Sequence, residues 1–251
     1  MPWVWLGALG IGLSLGVLGS GGSILTVPVL VFLAHQERKV AIASSLGIVG
    51  AISLAGAIPY ARARLIDWRA VLVFGVPGVL GTYCGAWLAK YVSADVQFAL
   101  LAAVMLAAAA LLLKRPGQRV SREHAPRASG LVALEGLAVG VLTGLVGVGG
   151  GFLIVPALVL LGGLEMRRAV ATSLAIIALK SLVGFAKSVQ VLSELELELD
   201  WNVLALFAAV GIVGSLVGAR IQPAIPQRAL QRTFALVLVL VGLGLAWNQL
   251  R

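Results

Sequence analysis

Ten apolar segments follow one another along the chain, at about 3–18, 24–34, 41–60, 70–89, 97–113, 130–147, 152–163, 169–187, 201–219 and 233–249. Most have the length that, as helix, matches a hydrocarbon core about 30 Å thick. Lipid offers no partner to the bare N–H and C=O groups of an open strand, and the alternation of a barrel strand is absent, so these segments are expected to be helices. With 60% hydrophobic and only 12% charged residues, the chain has more apolar surface than a soluble domain can bury. The expected class is an all-α polytopic membrane protein.

The six tryptophans fit those limits. Trp3, Trp5, Trp68 and Trp201 open segments, while Trp87 and Trp247 close them, as indoles at the headgroup level would. No cleavable signal peptide is expected, because apolar sequence begins almost at once and no A-x-A-like site frames it. The single cysteine, Cys84, excludes an intrachain disulfide and reads as helix filler. The net charge of +9 reads as cationic loops on the cytoplasmic side and not as a nucleic-acid surface.

The chain repeats itself. "GVLGSGGSILTVPVL" (16–30) and "GLVGVGGGFLIVPAL" (144–158) are identical at eight of fifteen positions, with a constant offset of 128. "VAIASSL" (40–46) matches "RAVATSL" (168–174) at the same offset. "DW" at 67–68 recurs at 200–201, and Gly78, Gly81 and Gly85 recur as Gly211, Gly214 and Gly218. The organisation read from this is a first transmembrane repeat (1–113), a basic linker (114–129) and a second transmembrane repeat (130–251), each repeat with about five segments and a short broken helix. If the short second segment of each half crosses, and the linker is cytoplasmic, thirteen Lys and Arg lie inside and five outside; if it dips and returns, the split is ten to eight. The first split follows the positive-inside rule better, so inverted-topology repeats are expected.

Each glycine cluster reads as a helix interruption inside the membrane. Gly19, Gly21 and Gly22, with Gly147, Gly149, Gly150 and Gly151, are expected to turn the backbone tightly and expose N–H groups. The helix that follows carries about half a positive charge at its N-terminus, a ready site for an anion. Pro28 and Pro156 are expected about a turn into those helices, where a missing N–H costs least. Ser20 and Ser23 add hydroxyls in the first copy; Val148 and Gly151 replace them in the second. The competing reading is that the glycines only let helices pack closely.

"ASSL" and "ATSL" place Ser44, Ser45, Thr172 and Ser173 at the start of segments 3 and 8, as donors to an oxyanion or as helix caps. A polar stripe continues through Ser173, Lys180, Ser181, Gly184, Lys187 and Ser188, with a partner stripe of Ser45, Ser53, Gly56 and Tyr60; both are expected to face inward. Lys180 lies about 18 Å into segment 8 by helix rise. A cation there costs a few kcal/mol to insert and is a functional candidate, the alternative being snorkelling along a wet crevice. Its counterpart in the first half is Ile52. Glycines spaced by four (Gly12/Gly16, Gly140/Gly144, Gly81/Gly85, Gly214/Gly218) read as packing faces. The sequence has no H-E-x-x-H, nucleophile triad, P-loop or CxxC, so neither an enzyme, a metal site nor a cofactor is expected.

The doubled motif "GSGGSILTVPVL"/"ASSL" and "GVGGGFLIVPAL"/"ATSL" resembles the TauE/SafE family of membrane permeases, the sulfite exporters, over essentially the whole chain. The resemblance implies export of sulfite, an organosulfonate or another small anion. The expected function is therefore a multi-pass transporter of the inner membrane, moving a small sulfur-containing anion by alternating access. Substrate-binding residues are expected among Ser20, Gly21, Gly22, Ser23, Ser44, Ser45, Gly149, Gly150, Gly151, Thr172, Ser173 and Lys180. The alternatives are an anion channel with the same site, a permease for another small organic anion, or a membrane interaction protein whose broken helices only pack.

Overall fold

The computed structural model describes residues 2–19, 21–114, 129–146, 151–160 and 163–249. Ser20, Gly147, Val148, Gly149, Gly150 and residues 115–128 of the linker lie outside the described residues. Ten helices account for nearly all the rest: α1 (Pro2–Leu18), α2 (Gly21–Phe32), α3 (Arg38–Arg62), α4 (Trp68–Leu88), α5 (Ala94–Lys114), α6 (Ser129–Val146), α7 (Gly151–Leu160), α8 (Met166–Glu194), α9 (Trp201–Ile221) and α10 (Gln227–Gln249). Among the described residues there is no strand. Each expected segment is helical over most of its described residues. Four spans, Arg38–Arg62, Trp68–Leu88, Met166–Glu194 and Trp201–Ala224, are long and apolar enough to cross a membrane, and α1, α5, α6 and α10 hold shorter apolar stretches. Trp5, Trp68, Trp87 and Trp201 are exposed near helix ends.

The core sits between α3 and α8. In their most apolar stretches 78% and 67% of residues are buried, against 44% for α4 and 33% for α9. That difference puts α3 and α8 at the centre and gives α4 and α9 one face toward lipid. α1 packs along α9, α4 along α6, and α5 along α10, while the short helices α2 and α7 touch each other.

Glycine contacts fix the directions. Gly12 lies against the carbonyl of Gly211, and Gly16 against that of Ser215, so α1 and α9 are parallel. Ile52 lies at Gly211 and Gly56 at Ser215, so α3 is parallel to α9 as well. Two helices pointing the same way need a return between them, and α2 supplies it: Gly22 sits on Ile11 and Leu15, and Val29 on Gly7. Across the two halves Gly81 meets Leu137 and Gly85 meets Val141, so α4 and α6 are parallel. Lys180 lies at Gly78 and Gly184 at Thr82, so α8 also runs with α4. The two groups oppose each other, because Gly47 faces Phe185 while Gly50 faces Leu182 across an antiparallel α3–α8 seam. All four glycine pairs spaced by four lie at such crossings, where a side chain would strike a neighbouring backbone.

Two helix starts are capped from the sequence. Asp67 accepts from Ala70 N at 3.0 Å, and Asp200 from Asn202 N at 3.0 Å and Val203 N at 3.1 Å. These are the aspartates of the repeated "DW". Within α4 a π-helical turn at Val71–Gly75 comes just before Pro77. Proline denies the ladder one N–H and crowds the carbonyl four residues back, and the widened turn absorbs the mismatch.

One expectation about the breaks is corrected. α2 and α7 begin at Gly21 and Gly151, upstream of the first large apolar residues. Pro28 and Pro156 therefore lie in the interior of their helices and not one turn in. Glycine costs little in a first turn, whose N–H groups have no intrahelical acceptor anyway. The bare Cα of Gly22 lets α2 start directly on the Ile11 carbonyl.

Candidate functional site

The first break is built from the end of α1 and the α8 motif of the other half. Gly19 has φ +73°, a left-handed conformation that stops the helix at Leu18. A Cβ at Gly19 would come within 2.8 Å of Val170 Cγ1 and 2.9 Å of Ser173 Oγ. The last carbonyls of α1 have lost their helical donors and need others. Tyr60 OH donates to Gly16 O at 2.8 Å, and the single Ser173 proton is shared between Val170 O at 2.8 Å and Gly19 O at 3.1 Å. Hydroxyls from α3 and α8 thus close the broken end.

The other motif hydroxyls divide by role. Thr172 Oγ1 accepts from Asp67 N at 2.9 Å, tying the start of α4 to α8. Ser45 Oγ donates to Ile42 O at 2.8 Å, and Thr26 Oγ1 to Gly22 O at 2.8 Å. Ser23 is fully buried in the first turn of α2. Ser44 is fully buried and its Oγ has no partner.

Lys180 stands at the midpoint of α8, fully buried, with no hydrogen-bond partner for Nζ. Among the described residues it is the one charged side chain in the buried set. Its stem lies along Gly78: a Cβ there would stand 3.1 Å from Lys180 Cδ, 3.2 Å from Cε and 3.2 Å from the Gly136 carbonyl. The charge is therefore inside the bundle, between α4, α6 and α8, and does not reach along an exposed crevice. Ser181, next in the chain, and Ser53, on α3, are also fully buried with unpartnered Oγ atoms; so is Ser215 on α9, beside Gly56.

The structure does not gather the expected residues at one point. Ser173 precedes Lys180 by seven residues, or about 10 Å along the helix. Given that Gly50 lies beside Leu182, Ser45 and Ser173 are about 20 Å apart along the seam. Lys180 lies between them, with Ser53 and Ser181 near its level. Ser53 and Ser181 are visible in the sequence as members of the polar stripes. Ser215 has no signal in the sequence, because one serine among apolar residues carries no pattern of its own. Gly21 and Gly151 are helix N-terminal residues, while Ser20, Gly149 and Gly150 are outside the described residues.

Among the described residues no cluster of His, Cys, Asp and Glu is arranged to hold a metal ion. Apolar helices long enough to span lipid, packed through glycine, around a buried polar seam, define a multi-pass membrane transporter. The chain belongs to the sulfite exporter TauE/SafE family, whose model matches residues 4–245. It is 29% identical to a "Probable membrane transporter protein" of Xylella fastidiosa (strain 9a5c), over 95% of this chain and 92% of that one. It is 28% identical to the "Probable membrane transporter protein YunE" of Bacillus subtilis (strain 168), over 95% of this chain and 96% of the relative. A further relative from Methanocaldococcus jannaschii is 26% identical over 93% of this chain and 92% of its own length. No solved structure matches the chain.

Proposed function

We propose that the protein exports a small sulfur-containing anion, sulfite or an organosulfonate, across the inner membrane by alternating access of two inverted repeats. The observation that carries the reading is Lys180: a cation at the centre of the bundle, without a partner, in a family of membrane transporters. A buried charge is tolerated when something neutralises it, and a transported anion does so.

The packing supports the repeat reading. Three glycine contacts made by one half have counterparts made by the other. Gly12 on Gly211 corresponds to Gly140 on Gly78, Gly16 on Ser215 to Gly144 on Thr82, and Gly56 on Ser215 to Gly184 on Thr82. The pairs match through the same offsets that relate the sequences. α1 and α3 point one way and α6 and α8 the other, as inversion requires. Repeats that exchange partners in this way suit a rocking motion around a fixed centre.

Purified protein in liposomes loaded with sulfite, isethionate or methanesulfonate tests the proposal. Saturable efflux with counterflow is expected. A panel in which no sulfur oxyanion is carried, while carboxylates are, would replace the substrate class and keep the transporter.

A further inference from the structure

We infer that the bundle centre at the level of Lys180, where α8 packs on α3 at one side and on α4 at the other, is a site for one monovalent oxyanion, with Lys180 supplying the charge and Ser53 and Ser181 the hydrogen bonds. This rests on the anion-carrier reading above, but moves the binding centre away from the glycine breaks, and it fixes the valence of the ligand.

The lysine and its counterpart occupy like notches with unlike chemistry. Ile52 ends against Gly211 as Lys180 lies against Gly78, and these residues are related by the offsets of the repeat. The isoleucine fills its notch with apolar atoms and leaves nothing unsatisfied. The lysine brings an ammonium into an equally buried place, where Nζ has no partner. The Gly136 carbonyl and the missing side chain at Gly78 reserve the space for its stem. A notch kept open for a cation, in only one of two copies, calls for a complementary anion.

Ser53 and Ser181 supply the second part. They stand 128 residues apart at matched positions, are fully buried, and have unpartnered Oγ atoms. With Gly50 beside Leu182 in an antiparallel seam, Ser53 falls within about one turn of the level of Lys180 and Ser181. A buried hydroxyl without an acceptor is costly, and an oxyanion offers several acceptors. By contrast, the Ser173 proton already closes the end of α1.

The charge count sets the valence. Lys180 is the one charged residue in the buried set of described residues. A monoanion there leaves a neutral pair. A dianion leaves an uncompensated negative charge in a dry place. The site therefore takes a sulfonate, hydrogensulfite or a carboxylate in preference to sulfate or thiosulfate.

The test uses wild-type protein in nanodiscs, titrated calorimetrically at one neutral pH with methanesulfonate, acetate, sulfate and thiosulfate. The monoanions are expected to bind at least about tenfold more tightly than the dianions. Ser53→Ala and Ser181→Ala should each weaken methanesulfonate about three- to tenfold, and Lys180→Met should abolish its binding. Sulfate binding as tightly as methanesulfonate overturns the inference, as does wild-type affinity in both serine variants. The wild-type series and the serine variants carry the test if Lys180→Met does not fold. Methanesulfonate bound through Lys180 but never carried into liposomes would leave the site standing and remove the carrier. A sulfonate carried at the wild-type rate by Lys180→Met would do the reverse.

Discussion

Ser173 and Gly19 are 154 positions apart in the chain and meet at 3.1 Å, hydroxyl to carbonyl, where α1 stops inside the bundle. The contact joins the two halves at the place where the first helix is broken. It explains why a glycine is needed there on two counts: the left-handed φ of +73° and the wall formed by Val170.

Gly19→Ala should therefore lower stability by about 1–3 kcal/mol from backbone strain alone, with more from the collision at Val170. Ser173→Ala should cost about 1 kcal/mol, the net value of a buried hydrogen bond. Because they share one contact, the double variant should be less destabilised than the sum of the singles. Thermal unfolding of the detergent-solubilised protein, read by tryptophan fluorescence, measures all three. Strict additivity would show that Ser173 does not act on the α1 terminus.

Thr172 holds the start of α4 through Asp67 N, and Asp67 in turn caps Ala70 N. Thr172→Val keeps the shape and removes the acceptor, leaving a part-buried N–H short of a partner, at about 1–3 kcal/mol. Thr172→Ser keeps the oxygen and should recover most of that loss. Equal unfolding temperatures for the serine and valine variants would mean that the bond to Asp67 N contributes nothing.

The sequence made the elements of this fold readable because lipid leaves few options. Apolar length gave the helices, and the end of α1 is marked by Gly19. Where Lys and Arg fall gives an expectation for the direction of each half, which thiol labelling can test. The site was less readable. A serine in "ATSL" looks the same whether it closes a helix end, as Ser173 does, or keeps its proton for a ligand. Only the fold separates Ser173, whose oxygen meets two carbonyls, from Ser181, whose oxygen meets none. The notch that holds Lys180 was hidden for a related reason. Gly78 appears in the sequence as one more packing glycine, and nothing local links it to a lysine on another helix.

Glycines at helix crossings can be told apart from those facing open space. A Cβ at Gly140 would run into the Gly78 carbonyl, and one at Gly85 into that of Val141, whereas one at Gly10 meets nothing within 4 Å. Gly140→Leu and Gly85→Leu should prevent a monodisperse folded species in size-exclusion chromatography, since the helices must part to admit the side chain. Gly10→Ala should be neutral or stabilising by up to about 1 kcal/mol, because alanine loses less entropy in a helix. If Gly140→Leu and Gly10→Ala behave alike, the close α4–α6 approach is wrong.

At the end of the bundle where α8 finishes, Arg38 pairs with Asp95 and Lys90 with Glu194. The Glu194 carboxylate raises the Lys90 pKa above its ordinary 10.5, first through its hydrogen bond and then through its charge. A raised pKa in the folded state means that the pair's stabilisation is complete below the unfolded value and is lost as pH climbs through the folded one. Physiological pH lies well below that window, so the pair stays intact there. Both partners are largely exposed, and such pairs are screened by salt. Lys90→Met should flatten any loss of stability seen on raising pH beyond about 10.5, the ordinary lysine value. A wild-type unfolding temperature that rises through that range would contradict the sign.

The inverted arrangement proposed above makes its own forecast about which loops face which compartment. In a Cys84→Ala background the chain has no other cysteine, so single cysteines can be introduced and tested with a membrane-impermeant thiol reagent. If α2 and α7 carry the chain back across, a cysteine at Arg167, which precedes most of α8, should react only from the cytoplasmic side. One at Glu196, just beyond the other end of α8, should react only from outside. Should the short helices dip and return on the same side, the second half after α7 turns over and both results are exchanged. The packing favours the first outcome, because α6 and α8 both run parallel to α4 and a same-side return would leave them opposed. The labelling pattern at these two positions therefore decides whether α7 crosses the membrane, as an alternating-access carrier built from inverted copies of one unit requires.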